Sequence, residues 1–212
     1  MNDRFIFMMT DQSKERCILF SGFDPFYDQP INPSWLAVSS LPDTIGGYHV
    51  HKLLIPTVFT KGANTVLQAA KSCHPDFIFM VGQAGGAASV TPELIGYNLR
   101  NARIPDNEGN QIRNQPILPD GPMCLCTRLP LVQIVATMKH EGYNINISSY
   151  AGAFVCNDVF YSILSAFKDT STKADFIHVP FLPEQAAGEY PSMSLESITK
   201  TLLRFIELAI QQ

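Results

Sequence analysis

Residues 145–181 read INISSYAGAFVCNDVFYSILSAFKDTSTKADFIHVPF, and the spacing of their apolar side chains changes twice. Positions 145–150 predict a strand. From 153 to 167, Val155, Val159 and Ile163 share one track with Phe160, Leu164 and Phe167 beside it, so the spacing predicts a helix with a broad buried face. Positions 176–181 return to a strand-like run. Strand, helix and strand in succession point to a parallel crossover, and the same alternation extends in both directions.

Upstream, residues 17–21 form a short apolar run that ends at Gly22, as a buried strand opening into a loop does. Asn32 is placed to cap a helix with Pro33 at its first position, while Trp35, Leu36, Val38 and Leu41 give it an apolar face and Pro42 helps to stop it. Residues 50–55 and 76–82 predict strands around a helix at 60–72, where Val66, Leu67 and Ala70 recur at helical spacing before Pro75. The loop GQAGGAAS at 82–89 has neither GxGxxG nor a GK[ST] ending, so it reads as a close-approach loop and not a phosphate cradle. A strand at 94–99 leads into a long polar excursion at 101–122, PDGPMCLCTRLP reads as a turn entering a helix at 129–139, and a capped helix at 194–210 closes the chain. These elements predict an α/β fold with a mostly parallel twisted sheet covered by helices on both faces. A single domain at 17–212 follows a loose leader at 1–16.

With 212 residues, 46% of them hydrophobic, the chain can bury a substantial core. A net charge of -4, from 15 Lys plus Arg against 19 Asp plus Glu, leaves no basic surface for a nucleic acid. The apolar run at 5–9 is shorter than a membrane span or a signal-peptide core, so no membrane partner is expected. Five cysteines, Cys17, Cys73, Cys124, Cys126 and Cys156, suit a reducing compartment and predict a cytoplasmic protein. Cys124 and Cys126 with His140 supply at most part of a zinc site, and no second pair completes it, so no metal is expected.

Cys156 falls in the first turn of the helix at 153–167, where backbone N–H groups and the helix dipole favour a thiolate. A small hydrophobe packed beside Val155 and Val159 is the alternative. His178 stands at a strand's carboxyl end, where open parallel sheets place ligands, although a structural histidine fits there too. Glu93, just after the Gly-rich loop, can orient an imidazole; Asp106, Glu108 and Asp158 compete for that role.

Four blocks then decide among these readings: SGFDPFYDQPINPSW at 21–35, VGQAGGAASVTPELIGYN at 81–98, ARIPDNEGNQ at 102–111, and SSYAGAFVCNDVFYSIL at 148–164 followed by FIHVPFLPEQ at 176–185. In these the chain resembles the pyroglutamyl peptidase I family, or pyrrolidone carboxyl peptidases, from about residue 17 to 206. The resemblance implies a cysteine peptidase with Cys156 as nucleophile, His178 as base and acid, and Glu93 orienting the histidine. It places Phe23 and Phe26 in an aromatic pocket, Asn32 and Gln83 at polar positions near it, and Arg103 near the oxyanion. It implies no metal or other cofactor, substrates that are peptides with an N-terminal pyroglutamyl residue, and association as a homodimer or homotetramer. Ala87, Tyr150, Ala153 and Asp158 depart from the family's usual residues, an arginine, a small hydroxyl residue, a threonine and a histidine in turn, and the leader exceeds its usual short start. A noncatalytic lactam-binding homologue and another cysteine-dependent amide hydrolase are the competing readings.

Overall fold

A computed structural model describes residues 15–212. Six strands form the main sheet: β1 (Cys17–Phe23), β2 (Thr44–Ile45), β3 (Tyr48–Ile55), β4 (Phe77–Gln83), β5 (Thr91–Pro92) and, after a separate pair, β8 (Lys173–Val179). The pair is β6 (Ile95–Tyr97) with β7 (Cys124–Cys126), antiparallel to each other. In the main sheet the order is β2-β3-β1-β4-β8-β5. The four inner strands run parallel, but β2 and β5 pair antiparallel with their neighbours, so the sheet is mixed. This corrects the mostly parallel expectation at both edges, where two-residue strands carry too little pattern to be read.

β1, β4 and β8 are buried on both faces, β1 and β4 as nearly continuous apolar runs, whereas β3 keeps several exposed or half-buried polar positions. Side chains alternate between two cores. Ile18, Phe20, Phe79 and Ile177 pack with helices α1 (Pro33–Ser39), α3 (Leu131–His140) and α6 (Leu195–Ala209), whereas Leu19, Ile78, Met80 and Phe176 pack with α2 (Lys61–Cys73) and α4 (Val155–Phe167). The helices therefore hold the sheet from alternate residues of the same strands, and their ends follow the expected caps. Asn32 Oδ1 accepts from the Ser34 N–H at 3.1 Å, and Ser194 Oγ accepts from the Ser197 N–H at 3.2 Å.

Two readings change. Residues 145–150 do not form a ladder strand; they touch the sheet through isolated parallel bridges, Val90 to Ile145 and Glu93 to Ser148. Pro92 lies midway between those bridges and has no N–H to donate, which interrupts the ladder. Conversely, Cys124–Cys126 is β7 rather than a turn entering a helix. A short helix, α5 (Pro183–Ala186), follows β8. Of the expected leader, residues 1–14 lie outside the described residues, while Arg16 stacks its guanidinium 3.9 Å from the Tyr48 ring centroid and Glu15 meets His49 at 3.0 Å. Among the described residues no helix is long and apolar enough to cross a membrane.

Candidate active site

The site forms where β4 and β8 end beside the start of α4. β5 runs antiparallel to β8 with Thr91 opposite His178, and the Glu93 N–H donates to Phe176 O at 2.8 Å, which fixes Glu93 next to the histidine. Glu93 Oε1 then lies 2.7 Å from His178 Nδ1, with Glu93 only 2% exposed and His178 8%. A bond this short between a carboxylate and a ring N–H is charge-assisted, and burial strengthens it.

Cys156 is the second residue of α4, whose N-cap, Phe154, offers no side-chain hydrogen bond to the first turn. Those N–H groups are left without a capping side chain and can meet an anion. The cysteine's sulfur lies against β4: a Cβ on Gly82 would be 3.1 Å from Sγ and 2.7 Å from Phe176 Cζ. Glycine is what lets the strand, the thiol and Phe176 meet there. Phe176 in turn packs on the His178 ring at 4.9 Å between centroids.

Burial of His178 works against its positive charge. Hydrogen bonding to Cys156 and to Glu93, and the negative charge each can carry, outweigh burial and push the imidazole up from 6.5 to about 9. Beside Glu93, Asp175 is fully buried, and burial together with the charge of Glu93 raises its carboxyl well above its ordinary value.

The competing carboxylates are engaged elsewhere. Asp158 pairs with Arg100 Nε at 2.6 Å and accepts from the Thr60 N–H at 2.7 Å. Asp106 accepts from the N–H groups of Phe59, Glu108 and Asn110; burial opposes its charge, but these bonds and the Asn110 side chain hold it below its usual value. Glu108 meets Lys61 at 2.6 Å. Among the described residues no group of three or more His, Cys, Asp or Glu gathers as a metal site, and Cys124 and Cys126 lie exposed on β7.

A cavity of about 460 Å³ opens beside this line, walled by Phe26, Gln83 and Arg103 among the residues singled out in the sequence. Phe23 and Asn32 sit one layer back. Phe23 is 2% exposed and packs on Phe176 at 6.1 Å between ring centroids; Asn32 caps α1 and donates from Nδ2 to Asp24 O at 2.9 Å. Seven further wall residues were not anticipated, among them Tyr27, Gln29, Phe181, Gln185 and Tyr190. Gln185 ties the wall together, its Nε2 donating to Gln29 Oε1 at 3.0 Å and Gln83 Oε1 at 2.9 Å. The only hint of it in the sequence is its place at the end of FIHVPFLPEQ, and an amide's partners cannot be read from a linear motif.

The family model described as pyroglutamyl peptidase matches residues 16–212. The chain belongs to this family. Its relatives include the pyrrolidone-carboxylate peptidase of Bacillus cytotoxicus, 41% identical over 92% of this chain and 94% of the relative. Among solved structures, pyroglutamyl peptidase I of Bacillus amyloliquefaciens superposes with a TM-score of 0.88 at 40% identity, covering 93% of this chain and 98% of that one. A variant pyrrolidone carboxyl peptidase of Pyrococcus furiosus gives 0.87 at 33% identity, over 92% and 98%. The family match spans Glu93, Cys156 and His178, together with the departures at Ala87, Tyr150, Ala153 and Asp158.

Proposed function

We propose that this chain is a cysteine peptidase that hydrolyses the amide bond after an N-terminal pyroglutamyl residue, with Cys156, His178 and Glu93 as its catalytic line. The observation that carries this reading is the buried Glu93–His178 bond of 2.7 Å, aimed at a cysteine in the first turn of a helix, within a member of this family. His178 holds the proton given up by Cys156 while the sulfur attacks the pyroglutamyl carbonyl. The resulting oxyanion is met by N–H groups at the start of α4, assisted by Arg103. When the C–N bond breaks, the protonated His178 gives its proton to the departing amine and leaves a thioester on Cys156. Water, deprotonated by the same imidazole, then cleaves the thioester and releases pyroglutamate.

Phe26 and Gln83 line the ring's pocket, with Phe23 supporting it from behind and Asn32 holding the loop that carries Phe26. The lactam is neutral, which suits a wall whose one charged side chain is Arg103. A free ammonium terminus would lose hydration there without an acidic partner. The remaining features of this reading are one domain at 17–212 with helical layers on both sheet faces, a cytoplasmic location and a homodimer or homotetramer.

The test is turnover of a pyroglutamyl amide by the purified, reduced protein. Release of the amine that disappears in Cys156→Ser supports the reading. Tight lactam binding without turnover would favour the noncatalytic homologue, and a clear preference for another amide would favour a different cysteine hydrolase.

A further inference from the structure

The cavity is larger than the lactam. At about 460 Å³ it lies in the range that encloses a drug-sized ligand, well beyond what one five-membered ring fills. It borders the chemistry at two points. Gln83 directly follows Gly82, the residue against Cys156 Sγ, and Phe26 packs on Phe154, two residues before Cys156, at 6.0 Å between centroids. Beyond Phe26 and Gln83 the wall carries three more aromatic rings: Tyr27 and Tyr190 remain 70% and 55% exposed, and Phe181 stands edge-on to Tyr190 at 6.2 Å.

Both tyrosines are set in place by unusual backbone. Tyr27 has φ 55°, a region that bulky side chains rarely occupy and that persists where surrounding structure enforces it. Tyr190 follows a turn through Ala187 (φ 49°) and Gly188 (φ 77°), closed by the Glu189 N–H on Ala186 O at 2.9 Å. The chain then returns along Phe181, whose carbonyl accepts from the Met193 N–H at 2.9 Å. Exposed aromatic rings fixed on a cavity that continues from a nucleophile form a surface suited to another flat, apolar ring.

We propose that Tyr27, Tyr190 and Phe181 form the subsite for the residue that leaves with the amine, and that this subsite selects an aromatic side chain over a small or cationic one. The proposal rests on the peptidase reading above. Arg103, on the same wall, repels a lysine or arginine in that position.

The experiment compares kcat/KM for pyroglutamyl-phenylalanine amide, pyroglutamyl-alanine amide and pyroglutamyl-lysine amide in the full chain and in Tyr190→Ala, Tyr190→Phe and Tyr27→Ala. Burial of one aromatic ring predicts about a tenfold preference for phenylalanine over alanine, with lysine below alanine. In Tyr190→Ala and Tyr27→Ala the phenylalanine-to-alanine ratio should fall toward one, while Tyr190→Phe keeps it. Equal turnover of the phenylalanine and alanine amides by the wild type, or a ratio that survives both alanine variants, overturns the subsite and leaves the peptidase reading intact. Turnover of none of the three amides by the wild type overturns the peptidase reading, and the subsite with it.

Discussion

Glu93→Gln separates orientation of His178 from its electrostatics. The amide keeps the size of the side chain and an oxygen able to accept from Nδ1–H, so the 2.7 Å contact can persist without its charge. A hydrogen bond to an ionised partner exceeds a neutral one by roughly 1 to 1.5 kcal/mol, which corresponds to about one pKa unit at about 1.4 kcal/mol per unit. His178 stands at about 9, raised from 6.5, so catalysis that needs its proton should be full at neutral pH and fall as pH rises through about 9. In the variant that alkaline limb should move to about 8, and kcat/KM at neutral pH should fall about tenfold. The linkage has the same sign. A histidine whose folded pKa is raised contributes stability in full below its unfolded value near 6.5, and the contribution is lost as pH rises through the folded value. The variant should therefore lose part of its advantage at neutral pH, visible as a lower Tm there and a smaller difference above pH 9. The assay is a pH profile of kcat/KM on a pyroglutamyl amide beside thermal unfolding at each pH. A folded Glu93→Gln protein with an unmoved alkaline limb and undiminished kcat/KM would refute the argument.

Three further outcomes follow from the same geometry. Cys156→Ser should bind pyroglutamate yet lose turnover by at least about a thousandfold, and in the wild type residue-resolved alkylation at Cys156 should track the loss of activity. Phe26→Ala should raise KM for a pyroglutamyl amide with little change in Tm, whereas Phe23→Ala should cost about 3 to 5 kcal/mol of stability, read by denaturant unfolding, because its ring is in the core. Asp158→Ala should destabilise the fold by about 3 to 5 kcal/mol in the same measurement, since it strands Arg100 and the Thr60 N–H.

The parallel centre of the fold was legible because β1 and β4 are nearly unbroken apolar runs and its helices carry wide apolar faces. Asn32 and Ser194 both cap as their positions suggest. What escaped were elements too short to have a period: β2, β5, β7 and α5. Residues 145–150 were read as a strand and are not one, because the proline that interrupts their ladder lies in a different segment. The site divides in the same way. Cys156 and His178 carried weak local signals, a helix start and a strand end, but no local pattern could rank Glu93 above Asp106, Glu108 or Asp158, and only the resemblance did. The surroundings of each rival make that ranking physical, since every one is occupied by loop N–H groups or a cation. The cavity wall was the least legible part. Gln185 acts through hydrogen bonds from its amide to residues more than a hundred positions away, and such contacts leave no spacing to read.

The departures from the family's usual residues also acquire physical content. Asp158, where a histidine is common, is one turn into α4 and would be a second carboxylate close to the nucleophile if it were unpaired. Instead Arg100 and the Thr60 N–H hold it on the side facing α2, so its charge is compensated where it is buried. Tyr150 is 60% exposed and lies edge-on to Tyr97 at 5.7 Å, extending an outer aromatic contact without entering the cavity wall. Ala153 contributes its carbonyl, which accepts from the Asn101 N–H at 2.8 Å, and Ala87 its N–H, which closes a turn on Ala84 O at 3.2 Å. Both are backbone roles that any side chain leaves available. None of the four departures removes a partner from the line joining Glu93, His178 and Cys156. Their effects should therefore fall on stability and loop packing, and the order of proton transfers should be the one that three intact side chains impose.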